Sequence, residues 1–495
     1  MGRPNLLFIF SDQHAQRVAR CYGDPFEATP NLDRLAERGV VFDRAYCPSP
    51  ICLPSRMAML TGRHPCRLRC WNNNDVLASD QPTWAHALGA AGYRPELIGR
   101  MHFTGPDQLH GFVERRVGDH NSNWLGGEGL DHGPFRGTAG PDAISIVRSG
   151  PGRAAYEIKD EQTAQAAVER LAELGDARAG GNTAPFCLTV GLMLPHPPYV
   201  VNTEDYDFFP ESTGEPSISA MAETDYHPRL QEWRRKTGAV DLNDADERRA
   251  RRAYYGLVRK MDRMIGEILT ALDTHGLTEN TIVIYASDHG DHIGDRGLWW
   301  KHTFYDESVK VPLIMSWPNV LPQGERRQQI VNLTDLAATL VEACNAPPLP
   351  AIDGCSFLGV AQNEHTPWIN ETFSEYCTDK SFAFSDDRYA RERMLLRDNY
   401  KYIYYHDFPA QLFDLQQDPG EHHDLGQDPA YASVRETLRA ATLADWDPDA
   451  ILLALKDGEA RKQLWAAWGA NTRPKDSFRW QMPRTEELRI DVPIN

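Results

Sequence analysis

Residues 51–63 read ICLPSRMAMLTGR, which sets Cys52 just ahead of Pro-Ser-Arg in the first turn of a predicted helix. Pro54 suits that turn, Met57, Met59 and Leu60 give the helix an apolar face, and Gly62 lies near its end. Three chemistries are open to Cys52: a buried apolar residue, a thiolate, or the precursor of another group. A helix amino end concentrates unspent N–H groups and positive partial charge, a seat for an anion or a thiolate. Two other stretches gather ligand-type residues after apolar runs. Asp12-Gln13 follow NLLFIF, and SDHGDHIGDRG follows TIVIYA, placing three carboxylates and two histidines within eleven residues. Such a cluster repels itself unless it faces water or a cation. Oxygen-rich ligands with one imidazole suit Ca²⁺, Mg²⁺ or Mn²⁺ better than a structural zinc.

The elements around these residues alternate between strand and helix. NLLFIFSDQ, VVFDRAY, RPELIG, FCLTVGLML, TIVIYAS and VPLIMSWP read as strands. Helices are predicted from Thr29-Pro30 to Gly39, over about 82–91, over 160–174 and from about 244 to 274. That order implies an α/β unit with a mainly parallel sheet covered on both faces, whose ligands collect at the carboxyl ends of the strands. Asp12 and Asp288 then become neighbours in space. After about residue 365, ERMLLRDNYKYIYYHDFPAQLFDL reads as two or three aromatic-rich antiparallel strands. Three units follow: a catalytic α/β domain over 1–365, an antiparallel-sheet subdomain over 366–445, and a helix with an extended tail over 446–495. Trp465 and Trp468 on that helix and Trp480 and Pro483 in the tail suggest a homo-oligomer, dimer or tetramer.

Composition excludes several classes. Seventy acidic against 52 basic residues give a net charge of −18, which disfavours nucleic acid and anionic membranes. The first apolar run, Leu6 to Phe10, is far shorter than a signal-peptide core or a membrane span, and the chain reads as cytoplasmic with no membrane partner. Nine cysteines with no CxxC pair fit reduced, mostly buried thiols, Cys66 and Cys70 among them.

CLPSRMAMLTGR resembles C-x-P-S-R-x-x-x-L/M-T-G-R, the signature of the formylglycine-dependent sulfatases of the alkaline phosphatase superfamily. PNLLFIFSDQH, GYRPELIGRMHF, LPHPPY, SDHGDHIGDRGLWWKHTFYDESVKVPLI and YKYIYYHDFPAQLFDLQQDPGEHHDL are similar to further segments of that family, in order along almost the whole chain. The resemblance implies an alkaline-phosphatase-like fold and a small-molecule or saccharide sulfate ester as substrate. It also implies that a formylglycine-generating maturation enzyme oxidises Cys52 to 3-oxoalanine. Hydrated, that aldehyde offers one hydroxyl to attack sulfur and a second whose deprotonation collapses the sulfated hemiacetal and ejects sulfate. By the same resemblance, Asp12, Cys52, Asp288 and His289 are metal ligands and Arg56 pairs with the diol. Lys301 and His196 contact sulfate and protonate the leaving oxygen, and His102 is the base for collapse. Gln13 and Arg100 are expected at the substrate; His302, which the family pattern does not match, is either a substrate contact or merely a neighbour.

Gln13 stands where most members carry a second Asp, and His289 where most carry Asn, as in choline sulfatases and phosphonate monoester hydrolases. Mn²⁺ or Mg²⁺ then rivals Ca²⁺ as the metal. GRMHFTGPDQLHGF is close to the choline-sulfatase pattern, and Trp124, Trp299 and Trp300 offer aromatic faces for a quaternary ammonium. GDHNSNWLGGEGLDHG departs from that pattern; its extra histidines and glycines suggest another pocket, and choline is not assigned. Arg100 replaces the usual lysine, a planar fork for a point charge. A phosphonate monoester or phosphodiester hydrolase using the same site is the alternative enzyme. A non-catalytic anion-binding protein on the same fold is the alternative outside catalysis.

Overall fold

A computed structural model describes residues 3–380 and 388–491. Fifteen strands occur among them: β1 Asn5–Asp12, β2 Val40–Tyr46, β3 Arg94–Gly99, β4 Glu114–Arg116, β5 Gly150–Arg153, β6 Phe186–Pro195, β7 Val200–Val201, β8 Thr281–Ser287, β9 Leu313–Ser316, β10 Glu325–Asn332, β11 Glu371–Thr378, β12 Ala390–Arg397, β13 Tyr400–Tyr405, β14 Gln411–Asp414 and β15 Arg489–Ile490. Eight form the main sheet, in the order β10-β2-β9-β8-β1-β6-β3-β4. Central β1 is parallel to β6 and to β8, and every residue from Asn5 to Asp12 is buried. Its side chains alternate between two cores. Leu6, Phe8 and Phe10 join Met57, Leu60 and Trp84 on one face, while Leu7 and Ile9 meet Leu257, Met261 and Ile265 of the helix Asp244–Thr274 on the other.

One strand runs against the expected direction. β9 pairs antiparallel with both β2 and β8. Between β8 and β9 the only α-helix is Asp306–Val309, a single turn that cannot carry the chain back across the sheet. The chain therefore stays at the carboxyl edge, deposits the ligand-rich loop there, and returns along β9.

The other departures concern extent. The helix expected over 160–174 spans Ala155–Ala179, because its start at Ala154 has no side-chain cap to announce it. The C-terminal antiparallel sheet has four strands, β11-β12-β13-β14. β11 carries Glu371 and Glu375, which hide its strand character, and buried Glu375 lies 3.5 Å from Arg393 of β12. The tail folds along its own chain: β15 pairs with β5, and Trp480 is buried against Ala155 and Ile158. No helix among the described residues is long and apolar enough to cross a membrane.

Candidate active site

Strand register brings the two acidic clusters together. Ser11 of β1 pairs with Ser287 of β8, so Asp12 and Asp288 leave the sheet side by side. Between them lies Cys52, the first residue of the helix Cys52–Thr61. Asp12 Oδ1 is 3.6 Å from its Sγ and His289 Nε2 is 3.2 Å away. One donor atom from each of Asp12, Cys52, Asp288 and His289 lies within 4.8 Å of the others, all fully buried.

The helix end is not the anion seat that the sequence implied. Leu53 N donates to Asn73 Oδ1 (3.0 Å), Pro54 has no N–H, and Ser55 N already bonds Ile51 O. Side-chain cations supply the positive charge instead. Arg56 lies 2.8 Å from Asp288 Oδ2 and 3.0 Å from Asp12 Oδ2, with its guanidinium over the Phe10 ring. Arg100 Nε reaches the same Asp12 oxygen at 2.6 Å. Burial opposes ionisation of Asp12, yet Arg100 and Arg56 hold its carboxyl well below the usual range. Burial and Asp12 push the Cys52 thiol up to about 11, with Lys301 opposing.

The donor set fits a divalent cation. The arginines occupy the outer carboxylate oxygens, leaving Oδ1 of both aspartates toward Cys52. His289 Nδ1 is 3.0 Å from Gly290 O; a carbonyl only accepts, so the hydrogen sits on Nδ1 and the Nε2 lone pair faces the cluster. Gln13 takes a left-handed backbone (φ 69°), which aims its N–H at Asp288 Oδ1 (3.0 Å). Its amide donates to Asp291 (2.7 Å), as the Tyr199 hydroxyl also does (2.6 Å), so its Oε1 must face Lys301 Nζ at 2.7 Å. Lys301 Nζ is also 3.1 Å from Cys52 Sγ.

Above this floor stand residues with slight access to solvent: His102 (6% exposed), His196 (7%) and Lys301 (5%). His196 commits Nδ1 to Pro197 O (2.7 Å), leaving Nε2 for the site. His102, with φ 64°, sends its N–H to Asp119 Oδ2 (2.7 Å) and accepts at Nδ1 from Arg100 Nη2 (2.8 Å). The neutral ring therefore carries its hydrogen on Nε2. Burial and Arg100 also hold its pKa well below the ordinary value, so the proton-accepting role expected of His102 conflicts with this pairing, and a donor role fits it. His302 is 2% exposed, with ring centroids 4.8 Å from Trp233 and 5.6 Å from Tyr376. That packing sets its ring against Trp233 and Tyr376, on the neighbour side of the two readings open to it.

The three tryptophans make no common cage. Trp124 meets Trp468, while Trp299 donates to Glu247 and Trp300 to Ser145. Sequence reasoning missed Asp119, His120, Tyr156, Asp291 and Asn73. Asp291 sits inside the cluster already singled out, and Asp119 and His120 inside the GDHNSNWLGGEGLDHG stretch whose histidines suggested another pocket; nothing local marks Tyr156 or Asn73.

Comparison with known proteins shows the family. The sequence profile of the sulfatase family matches residues 4–346, and that of the N-sulphoglucosamine sulphohydrolase C-terminal region matches 294–445. The choline-sulfatase of Rhizobium meliloti is 31% identical over 491 residues, covering 95% of this chain and 91% of that protein. Human arylsulfatase K is 28% identical, covering 84% of this chain and 78% of that one. Among solved structures, the phosphonate monoester hydrolase of Agrobacterium radiobacter superposes with a TM-score of 0.73 at 24% identity, covering 89% of this chain and 95% of that one. The chain belongs to the sulfatase family of the alkaline phosphatase superfamily, the family of sulfuric ester hydrolases.

Proposed function

We propose that the protein hydrolyses the sulfate monoester of a small or saccharide alcohol. In this reading residue 52 is converted to formylglycine by a maturation enzyme, and Ca²⁺, or alternatively Mn²⁺ or Mg²⁺, is held by Asp12, Asp288, His289 and residue 52. One observation carries the reading: Cys52 lies among two carboxylates, an imidazole and a lysine rather than among aliphatic side chains. Formylglycine would supply a hydrated aldehyde with one hydroxyl for attack and one to drive release. A bound cation would supply Lewis acidity to the nucleophile and the ester.

The chain's own residues do the rest. Arg56 holds Asp12 and Asp288 at a fixed spacing and balances their charge. Lys301 and Arg100 make the site attractive to a monoanion, and Lys301 Nζ donates to the leaving oxygen. His196 offers Nε2 on that same side; burial and Lys301 hold its pKa well below the ordinary value, a shift that the negative charge of an arriving sulfate opposes. His102 holds a hydrogen at Nε2 for a substrate oxygen. Gln13, locked by Asp291, keeps its carbonyl oxygen toward Lys301.

The peptide containing Cys52, from protein produced with the maturation enzyme, should weigh about 18 Da less than its cysteine form, as exchange of SH₂ for O requires. A wholly unmodified peptide would overturn the reading. Gln13 and His289 at the metal site, together with the superposition on a phosphonate monoester hydrolase, support that activity as the second reading. Paired rates on 4-nitrophenyl sulfate and a phenyl phosphonate ester decide between the two. Nine free cysteines support a cytoplasmic setting, and the half-exposed Trp465 and Trp468 support self-association.

A further inference from the structure

At the mouth of the site stands a side chain that the proposed chemistry does not use. Tyr156 lies in the first turn of the helix Ala155–Ala179, which precedes β6 and so begins at the carboxyl edge of the sheet. Its hydroxyl is 3.0 Å from His120 Nε2, and His120 Nδ1 is 3.1 Å from Asp119 Oδ1. Arg100 Nη1 donates to the same Nδ1 at 3.4 Å, and a guanidinium can only donate, which places the ring hydrogen on Nε2. His120 therefore donates to the phenol oxygen. The phenol hydrogen is left for an acceptor from elsewhere.

The position of the ring shows which part of a substrate it meets. Its centroid is 5.8 Å from that of His196, the residue assigned to the leaving oxygen, and 5.2 Å from that of His132. His120 and His132 both come from GDHNSNWLGGEGLDHG, the stretch that departs from the choline-sulfatase pattern. Tyr156 is 3% and His120 4% exposed, like the other residues at the mouth, whereas the floor is fully closed. This wall faces the alcohol rather than the sulfate.

We propose that Tyr156, oriented by His120, forms the alcohol subsite and selects sulfate esters whose alcohol part carries a hydroxyl oxygen to accept from the phenol, such as a saccharide or polyol. The proposal rests on the sulfatase reading above. A quaternary ammonium offers no lone pair to the phenol hydrogen and would have only ring faces and a carboxylate to hold it. The carboxylate of this wall, Asp119, is already held by the His102 N–H, Arg100 and Arg115. An unsubstituted aryl group leaves the phenol hydrogen without an acceptor, whereas the oxygen of a substrate hydroxyl satisfies it.

The test compares wild type and Tyr156→Phe, full-length, calcium-loaded and matched for formylglycine content, on glucose 6-sulfate, 4-nitrophenyl sulfate and choline sulfate. Wild type should prefer glucose 6-sulfate to choline sulfate in kcat/KM. Tyr156→Phe should lower the glucose 6-sulfate to 4-nitrophenyl sulfate ratio about tenfold, the loss of one well-made hydrogen bond, chiefly through KM. His120→Phe should move the same ratio, and His120→Gln, whose amide N–H can donate to the phenol oxygen, should restore part of it. An unchanged ratio in Tyr156→Phe, or a wild-type preference for choline sulfate, overturns the proposal. Calorimetric binding of glucose 6-sulfate to Cys52→Ala separates this outcome from a failure of the proposed activity. If Tyr156→Phe weakens that binding about tenfold while wild type turns over no sulfate ester, the activity fails and the subsite stands; equal binding sinks the subsite.

Discussion

The floor and the wall of this site are built by different means. Asp12, Cys52, Arg56, Asp288 and His289 sit on two strand ends and one helix start, with no exposure to solvent. Their spacing follows from the parallel register of β1 with β8, which the packed core enforces on both faces. Asp119, His120, Tyr156 and His196 come from loops and a helix start, and the chain's far end holds part of that wall. Register fixes the floor within a few residues of each ligand; the wall depends on contacts between segments hundreds of residues apart.

Arg56→Ala attacks the floor and should have the largest effect. It strips two buried carboxylates of a shared partner, and leaving buried charge uncompensated costs about 3–5 kcal/mol. Turnover should fall by roughly 10³-fold or more, with lower calcium affinity by titration. Wild-type melting temperature and metal content in this variant would erase the distinction between floor and wall. Lys301→Ala comes next. It donates at the reacting end, to Gln13 Oε1 and toward Cys52 Sγ, so kcat should drop on the order of 10²–10³-fold with little change in melting temperature.

The same division explains what the sequence made legible. β1, β8 and the helix at Cys52 announce themselves through apolar runs that end in Asp12, Asp288 and Pro54, so the ligand pairing could be argued before any coordinates. Asp119 could not. One aspartate before a histidine in a glycine-containing loop has no periodicity, and its role exists only once Arg100, Arg115 and the His102 N–H converge on it. The direction of β9 was hidden for a related reason, since it depends on where the preceding loop stays rather than on residues within the strand. β11 escaped because Glu375, paired with Arg393, masks a buried strand as a polar one.

Asp119→Asn probes the junction of floor and wall. Burial opposes its charge, but Arg100, His120 and Arg115 hold the carboxyl well below its usual range. A depressed folded value contributes stability that is present above the unfolded pKa, about 3.9, and is lost as pH falls toward the folded one. The variant should therefore flatten the acid limb of the stability profile. Activity should fall about 10–100-fold, because Arg100 and His102 lose the acceptor that aims them. An unchanged acid limb would show that Asp119 does not carry this charge.

The smallest effect on turnover is expected from Trp480→Ala, although the side chain removed is the largest. Trp480 N donates to Asp119 O at 2.8 Å, its indole donates to Gln162 at 2.7 Å, and its ring packs on Ala155 and Ile158 beside Tyr156. Next to it, a Cβ at Gly118 would stand 1.1 Å from Phe478 O, so the tail and the Asp119 loop touch backbone to backbone. Truncating a buried Trp costs about 3–5 kcal/mol where the surroundings cannot relax. Here Trp480 belongs to a small apolar cluster apart from the main cores and its segment can detach locally, so less of that cost should reach global stability. The expected result is faster hydrogen exchange over 118–120 and 155–158, a KM raised several-fold, and calcium affinity within about twofold of wild type. Because both changes act through Asp119, Trp480→Ala combined with Asp119→Asn should cost less than the sum of the two. Additive losses, or a fall in calcium affinity as large as that of Arg56→Ala, would mean that the tail supports the floor directly and that the two regions are one structural unit.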